Sequence, residues 1–118
     1  MCMPRRHLDH PDPRNISVAR LLSALGDPAR LQIMEILADG KEHPRNDFEV
    51  GVGSSTLSHH MKTLRDAGLT NHRMEGTRCF VSLREETFQH FPVLGSVLQA
   101  SREERRGDTV RSTGSTRI

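Results

Sequence analysis

The sequence predicts a mostly α-helical domain with one small two-stranded β element. Three observations predict it. Apolar residues recur at helical spacing in four segments between Ile16 and Leu98. Start and stop signals bracket those segments: Asp27-Pro28 opens one, and Gly26, Gly40 and Gly68 close three. Residues 70–83 instead read as two short strands around a turn at Glu75-Gly76-Thr77.

The elements follow in order. Residues 1–14 hold three of the six prolines and read as a flexible N-terminal arm. Ile16, Ala19, Leu22 and Leu25, with Val18 and Leu21 beside them, mark a first helix. The second carries Leu31, Met34 and Leu37, widened by Ile33 and Ile36, a stripe broad enough for burial on more than one side. Residues 41–53 are ambiguous. Pro44 suits the start of a short helix, whereas Phe48, Val50 and Val52 alternate as in a strand.

Next, Ser54 reads as the N-cap of a helix that ends at Gly68. Leu57, Met61 and Leu64 form its narrow apolar stripe, and Ser55, His59, Lys62, Thr63 and Asp66 its opposite face. After the two strands, Glu85 to His90 reads as a helical turn. A last helix starts at Pro92 and carries Val93, Leu94, Val97 and Leu98. Residues 101–118, rich in Arg, Ser, Thr and Gly, read as a disordered tail, which leaves 15–100 as the folded domain.

Composition excludes several classes. At ~150 residues per domain, 118 residues make one domain with room for a tail, and a domain this small buries roughly 65% of its unfolded surface. Aromatic residues are 3%, with no Trp or Tyr, which argues against a stacking platform for single-stranded nucleic acid. No apolar run approaches the ~18 residues of a membrane helix. Arg5 and Arg6 are not followed by the apolar stretch of a secretory signal, and Cys2 and Cys79 are too few for a disulfide framework. The expected compartment is the cytoplasm, with no membrane partner. No nucleophile–base pair, phosphate loop or H-E-x-x-H appears, so an enzyme is not expected.

The net charge of +2 is unevenly spread. Residues 54–84 carry five basic and two acidic groups, with three histidines besides. A local basic block on a nearly neutral chain suits a face that binds a polyanion; the alternative is a solvated surface.

The order of helix, helix, short helix, glycine turn, polar-faced helix, two-stranded wing and helix is that of a winged helix-turn-helix. LSALGDPARLQIMEIL at 22–37, STLSHHMKTLRDAGL at 55–69 and the wing RMEGTR at 73–78 resemble the ArsR-type (arsenic-repressor-like) family of small bacterial regulators. The resemblance covers residues 16 to about 100. It implies a homodimeric transcriptional repressor that releases double-stranded operator DNA when an inducer binds. Metal-sensing members often carry a Cys-x-Cys pair in the first helix of the helix-turn-helix. Here that region reads EHPRNDFEV, with no cysteine, and residues 92–104 hold no histidine for the other common site.

In a winged helix the polar-faced helix would enter the major groove. Ser54, Ser55, Thr56 and Ser58 suit phosphate anchoring in its first turns. His59 and Thr63 lie on its polar face, where His59 can reach a base edge or phosphate. Lys62 and Arg65 are phosphate candidates, and Arg73 and Arg78 flank the wing turn, where they can follow the backbone or enter the minor groove. The first and last helices are the expected dimer surface, through Leu21, Leu22, Leu25, Val93, Leu94, Val97 and Leu98.

His7 and His10 in the arm are candidate ligands for Ni2+ or Zn2+; the alternative is that they are simply polar arm residues. A rival function is a winged-helix interaction module whose DNA binding is weak or depends on a protein partner. The helix face of Ser, Thr, His and Lys, poor in apolar anchors, argues against it.

Overall fold

The computed structural model describes residues 10–48 and 51–106. A 3-10 turn at Pro13–Asn15 leads into α1 (Val18–Leu25) and α2 (Pro28–Leu37). Then come β1 (His43–Pro44), a second 3-10 turn at Arg45–Asp47, and α3 (Ser54–Ala67). β2 (Thr70–Glu75), β3 (Arg78–Leu83), α4 (Glu85–His90) and α5 (Val93–Arg106) complete the fold.

Local chemistry sets the boundaries. Ser17 Oγ accepts the Arg20 N–H at 3.2 Å and caps α1. Asp27 Oδ1 accepts the N–H groups of Ala29 at 2.8 Å and Arg30 at 3.3 Å, and Pro28 follows at the first helical position. α2 is the central helix: it touches α1, α3, α5 and β3. That explains its wide stripe, because Ile33, Met34 and Leu37 are all fully buried.

The sheet has three strands in the order β1-β3-β2, where the sequence predicts two. The ambiguous segment supplies the third. His43 pairs with Val81 and Pro44 with Phe80, both antiparallel. Pro44 has no N–H to donate, and it sits on the sheet edge, where none is needed. The alternation through Phe48 and Val52 is not a strand: Phe48 fills the core, Val52 is exposed, and Val50 lies outside the described residues.

Two other expectations are corrected. α5 runs to Arg106 instead of giving way to a tail at 101. Glu35 on α2 holds this extension: its Oε2 accepts the Ser101 hydroxyl at 2.7 Å and Arg105 Nη2 at 2.6 Å. Residues 107–118 lie outside the described region, as do arm residues 1–9. Four residues assigned to the dimer surface, Leu21, Leu25, Leu94 and Leu98, are instead buried in the core of the single chain. A domain this small needs them inside, since a buried Leu contributes about 1.5–3 kcal/mol. Leu22 and Val93 stay exposed, and Val97 is half-buried.

Gly68 ends α3 in the left-handed region, with φ at 93°. Leu69 N–H returns to the Leu64 carbonyl at 3.0 Å, and the Gly68 carbonyl accepts the Thr87 hydroxyl at 2.7 Å. A Cβ here would stand 2.6 Å from Ile16 Cδ1. Gly68→Ala is therefore expected to destabilise the fold by about 2 kcal/mol or more, from left-handed strain plus overpacking. Urea unfolding of parent and variant measures it.

Candidate nucleic-acid interface

α3 divides cleanly into two faces. His60, Met61, Leu64 and Ala67 are buried. Ser54, Ser55, Thr56, Ser58, His59, Lys62 and Asp66 are exposed, while Thr63 and Arg65 are half-buried. His60 packs inward because Arg30 Nη1 donates to its Nδ1 at 2.9 Å. An arginine can only donate, so the His60 proton sits on Nε2, 4.0 Å from Asp27 Oδ1.

The expected N-cap is corrected. Gly53 is the cap residue, it makes no side-chain cap bond, and Ser54 is the first helical residue. A glycine has no oxygen on a side chain with which to cap, so among the described residues the first N–H groups of α3 have no side-chain cap. They form a positive end suited to a phosphate.

The basic candidates differ in availability. Lys62 is exposed but bonded to Asp66 Oδ2 at 2.6 Å, one turn along the same helix. Arg65 is half-buried: its Nε is buried without a hydrogen-bond partner among the described residues and lies 4.0 Å from Asp66 Oδ1. Arg73 is held in a fork by Glu42, with both contacts at 2.8 Å. That pairing raises the Arg73 pKa further and lowers that of Glu42. Arg78 is exposed and has no carboxylate partner among the described residues. The guanidinium groups of Arg73 and Arg78 both lie over the Phe80 ring, 4.9 and 5.0 Å from its centre. Phe80 thus braces the wing cations from the strand beneath.

Sequence reasoning missed Arg45. Its Nη2 donates to the Ser54 carbonyl at 3.1 Å and to Ser58 Oγ at 2.6 Å. Nine and thirteen residues separate these partners, and no sequence periodicity links them.

The arm is tied to the sheet through His10, whose Nε2 accepts the His72 N–H at 2.9 Å. His7 lies outside the described residues. Among those described, no group of three or more His, Cys, Asp and Glu side chains is placed to hold a metal ion. His72 is buried, its Nε2 2.8 Å from Thr70 Oγ1, and burial pushes its pKa down to about 3. Cys79 is half-buried, and burial raises its thiol pKa against the pull of Arg45 and Arg65. No helix among the described residues is long and apolar enough to cross a membrane.

Among the described residues, five α-helices, one of them with a polar outer face, and a small antiparallel sheet make up a winged helix-turn-helix. No family model matches the chain. An uncharacterized HTH-type transcriptional regulator of Bacillus subtilis, YceK, is 41% identical over 76 residues, covering 62% of this chain and 76% of that one. The arsenical resistance operon repressor of Staphylococcus xylosus is 34% identical over 70 residues, covering 58% and 67%. Among solved structures, a homodimeric winged helix-turn-helix DNA-binding domain from Mycobacterium bovis, a possible ArsR-family regulator, matches with a TM-score of 0.58 at 31% identity. The match covers 74% of this chain and 82% of that one. The transcriptional repressor BigR of Xylella fastidiosa matches at 0.55 and 31%, covering 70% and 84%. The chain belongs to the ArsR family of transcriptional regulators, which are not enzymes.

Beside the interface, His43 is bracketed by two carboxylates: Nδ1 lies 3.0 Å from Asp47 Oδ2 and Nε2 lies 2.9 Å from Asp39 Oδ2. Burial alone disfavours the imidazolium, but Asp47 and Asp39 outweigh it and raise the His43 pKa. The bracket therefore stabilises the fold fully below the ordinary histidine value of ~6.5 and loses that contribution as pH rises through the raised value. Titration of the His43 ring signals by NMR should give a pKa above the ordinary one. Asp39→Asn and Asp47→Asn should each lower it; an unmoved midpoint in both would remove the bracket as the cause.

Proposed function

We propose that this chain acts as a homodimeric repressor that reads double-stranded operator DNA with α3 and the β2–β3 wing, and that a small inducer releases it. One observation carries the reading. The outer face of α3 presents hydroxyls, His59 and Lys62 to solvent, beside a helix N-terminus with no side-chain cap. Short donors and free N–H groups fit phosphates and base edges. The rival module for a protein partner would need apolar anchors there. The large exposed apolar side chains among the described residues are Val18, Leu22, Val52 and Val93, and none is on α3. Homodimerisation is supported by the dimeric Mycobacterium bovis neighbour and by exposed Val18 and Leu22 on α1 and Val93 on α5. Such a dimer would read half-sites ~34 Å apart or a multiple of that. Residues 42–50 hold no cysteine, so the inducer would not be held by a thiolate pair in that segment.

The DNA surface is tested by fluorescence anisotropy against salt, on the DNA upstream of its own coding sequence. Lys62→Ala and Arg78→Ala should each weaken binding on all sequences and lower the salt slope by about one unit. His59→Ala should alter sequence preference as well. Asp66→Asn, which releases Lys62, should strengthen binding. Unchanged slopes in both basic variants would move the contact surface elsewhere.

The dimer surface is tested by equilibrium sedimentation with thermal melts. Leu22→Glu and Val93→Glu should yield folded monomers, because a charge enters the seam but not the core. Leu94→Glu should instead unfold the chain, its side chain being fully buried in one protomer. Dimers of undiminished strength in the first two would exclude this face.

A further inference from the structure

We infer that Arg45 is a positioning residue for sequence reading: it sets the pose of α3 by tying the first residue of that helix, Ser54, to Ser58 one turn on. The inference rests on α3 being the helix that contacts DNA. Arg45 Nη2 bonds the Ser54 carbonyl at 3.1 Å and Ser58 Oγ at 2.6 Å. Neither bond is needed to complete a cap. A cation at the positive end of a helix works against the helix dipole, so the arrangement gains nothing as helix stabilisation.

What it gains is a link between a held segment and a loosely joined one. The backbone under Arg45 is anchored on both sides. His43 and Pro44 pair with β3, and Phe48, whose N–H returns to the Arg45 carbonyl at 3.2 Å, is 4% exposed. The entry to α3, by contrast, runs through Gly51, Val52 and Gly53, all exposed. Gly51 has φ at 78°, and Gly53 makes no side-chain cap bond. Two glycines around one residue leave the start of α3 free to shift. The guanidinium spans that join from the anchored side.

The bond also orients Ser58. Its Oγ accepts from Arg45, so its own proton remains available to donate. Ser58 is exposed, on the face assigned to DNA. Without Arg45 the hydroxyl and the helix start both lose their set direction. Contacts to particular bases then suffer more than the diffuse attraction to phosphates.

The experiment compares parent, Arg45→Ala, Arg45→Lys, Ser58→Ala and the Arg45→Ala/Ser58→Ala double variant. Two duplexes are used: the DNA upstream of the chain's own coding sequence, and a shuffled duplex of the same composition. Arg45→Ala should lose about tenfold on the first, the scale of one charge-assisted hydrogen bond, and stay within about twofold on the second with the salt slope unchanged. Arg45→Lys, which keeps the charge and loses the fork, should fall between and carries the comparison if the alanine variant does not fold. The double variant should lose less than the product of the single losses. Equal loss on both duplexes with a slope lower by about one would make Arg45 a phosphate contact and overturn the inference. So would full discrimination in Arg45→Ala. A parent that binds the shuffled duplex as tightly as the first would instead bring down the reading of α3 itself, and this inference with it.

Discussion

The burial of Met61, Leu64 and Ala67 against α1 and α2 sets the rotation of α3 about its own axis. The rest of the arrangement depends on that rotation. Helical geometry puts residues three and four apart on one side, so once Leu64 is in the core His59 and Lys62 have to face outward. Arg30 adds a polar lock to the same side by donating to His60 Nδ1, which gives the buried ring a hydrogen-bond partner. Two adjacent histidines thus end in opposite environments: His60 is 7% exposed and His59 lies in solvent.

Rotation leaves the tilt of the helix start undetermined, and the surrounding short elements supply it. β1 and the following 3-10 turn are too small to be stable alone. They are held by pairing to β3, by the burial of Phe48 and by the His43 bracket. At the far end, Gly68 stops the helix and turns the chain at once into β2, with Leu69 and Thr70 buried. The wing therefore leaves from a well-defined point relative to the polar face of α3.

Charge on this face is regulated by neighbours rather than by number. The basic block has five cations, yet Lys62 and Arg73 each have a carboxylate at hydrogen-bond distance and Arg65 is half-buried. Exposed pairs of this kind contribute little to stability, about 0–1 kcal/mol, but they hold side chains in place before a polyanion arrives. A phosphate approaching this face would compete with Asp66 and Glu42 for cations already oriented. Arg78, over Phe80, meets no such competition among the described residues.

The sequence by itself determined the helices, their caps at Asp27 and Gly68, the hairpin of β2 and β3, and the two faces of α3. These features rest on local periodicity and local hydrogen bonds, and both are written in neighbouring residues. Tertiary structure decided what periodicity leaves open. An apolar stripe states that a face is buried, not what buries it; Leu21, Leu25, Leu94 and Leu98 pack within one chain, while Leu22 and Val93 do not. A two-residue strand such as β1 has no pattern of its own and exists through its partner Val81. The length of α5 depends on Glu35, far back in the chain, and the pose of α3 on Arg45 reaching across a glycine-rich join. Such long-range polar contacts depend on where the backbone brings two side chains together, and no spacing rule in the sequence encodes that.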